Sequence, residues 1–314
     1  MRKTFASTVA AGLLALTCTA AFGADLPRKA AALPPPPPPS PWDIAFGGGI
    51  TSDYNFRGVS QSNRGPSASA YFEPQYKTAV GTFYVGVAAI SIDWPSIVPD
   101  FGFTNPAAEV DIYGGWRNSW GAFSLDIGGW YYWYPKEIFN GFTDKSDFVE
   151  VYAKLGYDFG SGFTVGANVF YTPDLLHYST TFNSLLNPFG LSASKVDATY
   201  ASGTAKWVLP WTTGDLGAFV SGELGHWWID DSNWAAYNLA AGATYTNPSY
   251  TYWNAGLAFT YKVLTLDFRY HGTDQSDADC ASFLVSTVPN GSNKWCGDAY
   301  IVSAKFDTTL SAFK

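Results

Sequence analysis

Sulfur, histidine and charge are all scarce in this chain. In 314 residues there is one methionine, Met1, three cysteines and three histidines, and charged side chains make up only 14%. Past residue 23 no apolar run reaches the roughly 18 residues that a membrane-crossing helix requires, which excludes a helical membrane protein. Bases are outnumbered by acids, 18 against 26, for a formal net charge of −8; nucleic-acid binding needs the opposite balance. His177, His226 and His271 are far apart and form no short two-ligand spacing, so no metal site and no cofactor are expected. A nucleophile motif of the Gly-x-Ser-x-Gly kind is also missing, and the chain is read as a non-enzyme.

What is plentiful is aromatic and glycine content. Hydrophobic residues reach 47% and aromatic ones 18%, yet they are dispersed rather than bunched. The N-terminus is the one exception. Arg2 and Lys3 precede an apolar stretch from Val9 to Phe22, with the small residues Ala21 and Gly23 where a signal peptidase reads, so residues 1–23 are expected to be a cleaved secretory signal. Losing Arg2 and Lys3 with it would take the net charge from −8 to −10, and Cys18 would go too. Residues 24–41 hold the run Pro34 to Pro39 and then Pro41. This predicts a stiff polyproline leader lying in the periplasm, without donors for a sheet.

From Trp42 onward the apolar residues recur with period two, the period of a strand. In Trp42 to Phe56 the set Trp42, Ile44, Phe46, Ile50, Tyr54 and Phe56 alternates with Asp43, Thr51, Asp53, Asn55 and Arg57. Eleven further alternating segments follow, the clearest at Val149 to Phe159 and Phe163 to Tyr171 and the faintest at Ala201 to Leu209. Short links such as Gly160 to Gly162 alternate with long ones such as Pro173 to Ser194, and only the link after the first strand, near Val59 to Ser67, breaks the rule by being brief. One end of the sheet therefore carries turns and the other carries loops. The expected fold is all-β: an antiparallel transmembrane β-barrel of about 12 strands over residues 42–314, with short periplasmic turns and long extracellular loops. A soluble sandwich or lectin would also alternate, but Greek-key crossings give no reason for that loop asymmetry.

Within this pattern, Thr51 to Ser62 reads TSDYNFRGVSQS. It resembles the N-terminal motif S-D-Y-x-F-R-G-x-S-Q of the TorF-type porins of proteobacterial outer membranes, through Ser52, Asp53, Tyr54, Phe56, Arg57, Gly58, Ser60 and Gln61. The resemblance implies an outer-membrane barrel and a channel. The C-terminus departs from the usual pattern of outer-membrane barrels, because Phe313 is followed by Lys314.

Strand charges fall on the parity opposite the apolar set. Asp53, Arg57, Glu73, Glu150, Lys154, Asp267, Arg269, His271, Lys305 and Asp307 are the candidate pore-lining or rim residues. They are read either as a selective pore wall or as ion pairs closing the lumen. Asp53 and Arg57 are four residues apart, about 13 Å on a strand, so each is expected to find a partner elsewhere, with Glu73, Lys305 or Asp307 as suppliers. Arg57 and Gly58, allowing a bulge or tight turn, are expected at the outer rim. Cys280 and Cys296 are expected to pair, which for a loop of about 15 residues stabilises by roughly 3 kcal/mol. The acids Asp230, Asp231, Asp274, Asp277, Asp279 and Asp298 suit solvated loops better than a calcium site.

The function expected from these features is an outer-membrane channel for passive diffusion of small hydrophilic solutes or ions. A closed structural or surface-recognition barrel with ligand-binding loops, carrying Phe139, Phe142, Trp228, Trp234 and Tyr237, is the alternative, and an outer-membrane hydrolase around His271 is a third. The expected partners are outer-membrane lipid, the solutes or ions themselves and the outer-membrane assembly machinery, with no nucleic acid.

Overall fold

A computed structural model describes residues 40–94, 106–137, 145–177, 195–211, 213–230, 249–276, 279–280 and 295–313. The expected signal and nearly all of the proline leader lie outside the described residues, as do Phe139, Phe142, Asp231, Trp234, Tyr237 and Asp277.

Twelve strands close into one antiparallel barrel. They are β1 (Trp42–Thr51), β2 (Ser67–Thr78), β3 (Gly81–Ser91), β4 (Ala108–Trp120), β5 (Phe123–Trp133), β6 (Phe148–Asp158), β7 (Phe163–Thr172), β8 (Ala198–Val208), β9 (Leu216–Ile229), β10 (Tyr250–Tyr261), β11 (Leu264–Thr273) and β12 (Ala299–Thr309). Each pairs with its sequence neighbours, and β1 closes the ring on β12 from Ala45↔Thr309 to Thr51↔Ser303. Closure leaves no sheet edge, the condition a sheet must meet where no water can satisfy its backbone.

The outward parity explains why the alternation is so regular. Val85, Val87, Ile112, Ile127, Val151, Leu155, Val169, Leu224 and Val302 stand exposed on the outside. Above and below this apolar band are aromatic side chains. At the turn end Trp42 packs against Tyr76 at 4.7 Å, and Phe123, Tyr157, Phe159 and Phe163 form a continuous run with centroids 4.7 to 5.5 Å apart. Trp133, Tyr171, Trp228 and Tyr300 mark the loop end. An exposed apolar belt of this extent, flanked by two aromatic girdles on a closed barrel, is the surface of a transmembrane β-barrel.

Inside, large rings lie flat against glycines of the adjoining strand. A Cβ on Gly225 would sit 2.3 Å from the Tyr200 hydroxyl, and one on Gly128 2.6 Å from that of Tyr152. These glycines provide the room that lets each tyrosine lie along the wall.

One segment departs from the expected reading. Residues 52–66 are not a brief link continuing the first strand; Asn55–Phe56 and Val59–Ser60 form a small two-stranded hairpin of their own. Arg57 and Gly58, with φ of 49° and 90°, are its two central residues, the signature of a type I′ turn. Tyr54 and Phe56 accordingly do not face lipid. Period two persists in the sequence because a hairpin packed inside the barrel alternates for its own reasons.

Candidate functional site: the hairpin in the lumen

The hairpin folds into the loop end of the barrel. Val59 is 1% exposed and packs in a core with Tyr132, Phe148, Leu175, Tyr200, Trp227, Tyr250, Tyr252 and the Cys280–Cys296 pair. These partners come from β5, β6, β8, β9 and β10, from the turn after β7 and from the last loop, so this end of the lumen is filled by packed side chains. Each residue of the motif has a task in seating it. Ser52 bonds with Val302 of β12 through its amide, at 2.9 Å, and its hydroxyl, at 3.0 Å. Tyr54 donates to Glu109 Oε1 at 2.7 Å, and Phe56 meets Tyr132 and Trp227 edge-on. The Ser60 amide donates to the Trp295 carbonyl at 2.8 Å, and Gln61 Oε1 accepts from Trp94 at 2.9 Å.

Arg57 stands at the tip. It is buried, not at an open rim, and its partner is none of Glu73, Lys305 or Asp307. Its guanidinium makes a two-pronged pair with Glu150 of β6, Nη1 to Oε1 at 2.7 Å and Nη2 to Oε2 at 2.9 Å. The hairpin leaves the barrel from β1, and β6 lies five strands away of twelve, so the pair reaches across the lumen. Four rings surround the same guanidinium: Tyr200 at 4.4 Å, Phe56 at 4.6 Å, Trp227 at 4.7 Å and Phe170 at 5.0 Å. Tyr132 donates to Glu150 Oε2 at 2.9 Å, satisfying the carboxylate further. A charged pair this deep is tolerated only when both ions are fully bonded, and here both are.

Asp53 is also buried and works locally. It accepts the Ser60 hydroxyl at 2.5 Å and that of Ser62 at 3.0 Å, and pairs with Arg64 at 3.4 Å. Arg64 in turn donates to the Cys296 carbonyl at 2.7 Å, which links the hairpin to the disulfide-closed loop.

The remaining predicted residues line the wall below. Glu73 accepts from Arg117 and from Gln75. Asp267 holds Arg269 at 2.8 Å, and Arg269 reaches on to Asn254 and Ser221. Asn254 bonds Glu223, which accepts from Tyr200. His271 is buried with Nδ1 2.9 Å from the Tyr252 hydroxyl. Lys154 lies over Tyr152 at 4.5 Å and Phe170 at 5.3 Å, so Phe170 contacts both Lys154 and Arg57. Lys305 and Asp307 are exposed on the inward parity of β12. Sequence reasoning missed the ring of inward aromatics, and Glu150 as the partner of Arg57. The large aromatic residues on the inward parity near the loop ends were the available signal.

Below the hairpin the lumen opens. A cavity of about 610 Å³, lined by Asn168, Thr204, Lys206, Glu223, Asn254 and Arg269, runs down to Gly121 and Asp158 at the turns. Outside the spanning strands, burial raises the Glu137 carboxyl above its ordinary value, while hydrogen bonds from the Ser146 amide and hydroxyl pull it down. The loop acids are dispersed: Asp274 accepts from the Thr251 amide, Asp279 from Ser276 and Asp298 from Tyr270.

A family model described as a bacterial protein of unknown function, Gcw_chp, matches residues 36–296. The chain belongs to the Gcw_chp family. No curated protein sequence matches it. Among solved structures, the NanC porin in a rhombohedral crystal form is similar at 11% identity, with 84% of this chain and 98% of that chain covered and a TM-score of 0.45. The KdgM porin is similar at 7% identity, covering 84% and 98%, with a TM-score of 0.41. The outer-membrane channel DcaP of Acinetobacter baumannii is similar at 14% identity, covering 85% and 72%, with a TM-score of 0.41.

Proposed function

We propose that this Gcw_chp protein is an outer-membrane channel for small hydrophilic solutes or ions, exported by residues 1–23 as a cleaved signal and narrowed at its loop end by the Asn55–Ser60 hairpin. The observation that carries the reading is the two-part lumen: a polar cavity that reaches the turn end, and a loop end filled by the hairpin and the rings around it. A barrel built only for structure has no use for a cavity lined by Lys206, Glu223 and Arg269. Residues 24–41 serve as its periplasmic leader, and the likeness of Ser52 to Gln61 to the TorF-type porin motif supports the same reading. Lys154, Asp267, Arg269, Lys305 and Asp307 set the charge a solute meets on its way. His271, buried with its Nδ1 2.9 Å from the Tyr252 hydroxyl, is read here as a wall residue.

A closed surface-recognition barrel is the second reading, favoured by the burial of Arg57 and its ring partners. Planar-bilayer recording separates the two. Discrete conductance steps with a defined reversal potential support the channel, and silence across ions and sugars supports the closed barrel.

A further inference from the structure

The wall around Arg57 is assembled by the barrel strands and not by the hairpin. Five consecutive strands each contribute one inward side chain: Tyr132 from β5, Glu150 from β6, Phe170 from β7, Tyr200 from β8 and Trp227 from β9. Phe170, Tyr200 and Trp227 are direct cross-strand partners, so their spacing is set by the sheet and not by the hairpin. Glu150 accepts at both carboxylate oxygens, at 2.7 and 2.9 Å, and Tyr132 donates to Oε2. Three wall rings, at 4.4 to 5.0 Å from Arg57 Cζ, present the faces on which a guanidinium stacks. The group that fills this site is tethered by a turn in which Arg57, a residue with a Cβ, takes φ of 49°. Such a conformation is unfavourable for an L-residue and persists only where its surroundings hold it.

We propose that the Glu150 pocket is a guanidinium-recognition site of the barrel wall, which Arg57 occupies as an internal ligand and which a small guanidinium-bearing solute takes when the hairpin withdraws. The polar cavity below supplies the approach. It reaches Asn168, two residues from Phe170 on the same face of β7, and at about 610 Å³ it fits a small molecule rather than an arginine presented by a folded protein. Glu109 stands near Glu150 and is held by Tyr54 and Tyr134. In the wild-type chain the tether gives Arg57 an effective concentration in roughly the millimolar range, so weak external competitors do not displace it.

The test uses the refolded Arg57→Ala chain in detergent, titrated with methylguanidinium chloride and, separately, methylammonium chloride, with the fluorescence of Trp227 and calorimetry as readouts. The expected result is saturable binding of methylguanidinium at least roughly tenfold tighter than methylammonium, because only the planar fork matches the carboxylate and the rings. The second change Glu150→Gln abolishes that preference, and the wild-type chain shows no saturation over the same range. Equal binding of the two cations, or none by either, overturns the proposal. Should Arg57→Ala fail to refold, as judged by heat-modifiable gel migration, the Arg57→Gln chain, which also carries no tethered cation, takes the same titration, and the same results support or overturn the site. Binding in detergent requires no conductance, so this site stands or falls apart from the channel reading.

Discussion

The Tyr250 hydroxyl donates to the carbonyl oxygen of Arg57 at 2.9 Å, joining residues 193 positions apart. Through this bond β10 holds the backbone of the one non-glycine residue that takes a left-handed conformation at the hairpin tip, while Glu150 holds its side chain from β6. Tyr250→Phe keeps the ring and removes only the donor, leaving a buried carbonyl without this partner. The expected cost is about 1–3 kcal/mol in hairpin seating. Hydrogen exchange at residues 55–60 checks it: those amides become faster, and those of β1 do not.

The Arg57–Glu150 pair is testable by a double-mutant cycle. Removing one partner strands a buried charge, so Arg57→Ala and Glu150→Gln are each expected to cost about 3–5 kcal/mol. The double variant is expected to cost clearly less than the sum, because its second change removes the orphaned charge. Urea unfolding in lipid vesicles, followed by tryptophan fluorescence, measures all three.

Reduction of Cys280–Cys296 is expected to loosen the contacts of Trp295 and Cys296 with the hairpin rather than the barrel. The bridge closes a separation of 16 residues, worth about 3 kcal/mol to that loop in the chain-entropy picture. Trp295 and Cys296 are hydrogen-bonded to Ser60 and Arg64. A reducing agent, or the paired change Cys280→Ser and Cys296→Ser, is expected to raise proteolysis near residues 60–64. Resistance of the folded band to sodium dodecyl sulfate is expected to stay as it is.

Val151 and Lys154 lie on opposite faces of β6, and Val151 is 59% exposed. Val151→Arg places a charge against lipid beside Tyr171 of the loop-end girdle and is expected to cost about 1–2 kcal/mol, seen as a lower urea midpoint in vesicles. Lys154→Val, on the lumen face, is expected to leave that midpoint within experimental error of wild type and to alter ion preference.

The barrel is legible in the sequence because lipid imposes one parity on every strand; all twelve segments and the turn and loop ends follow from it. The site is legible only in part. Gly58 announces a tight turn, and the charges of the motif announce burial or pairing, but alternation alone assigns Tyr54 and Phe56 to lipid, because a filled lumen selects aromatics just as a bilayer does. Glu150 reads as a wall residue and cannot be matched to Arg57, since the pair is 93 positions apart and forms across the lumen, where no strand register connects the two. The inward parity of Tyr132, Tyr200, Trp227 and Tyr250 is the missed clue: a wet pore needs no such rings, and a seated hairpin does.

In the proposed channel the hairpin, latched by Arg57 on Glu150, narrows the loop end of the lumen. Single-channel recording of the wild-type chain beside Arg57→Ala puts this to the sharpest test. Small or rare steps are expected for wild type, and steps several times larger or longer for the variant. Identical conductance in the two, with both chains folded, would contradict the latch.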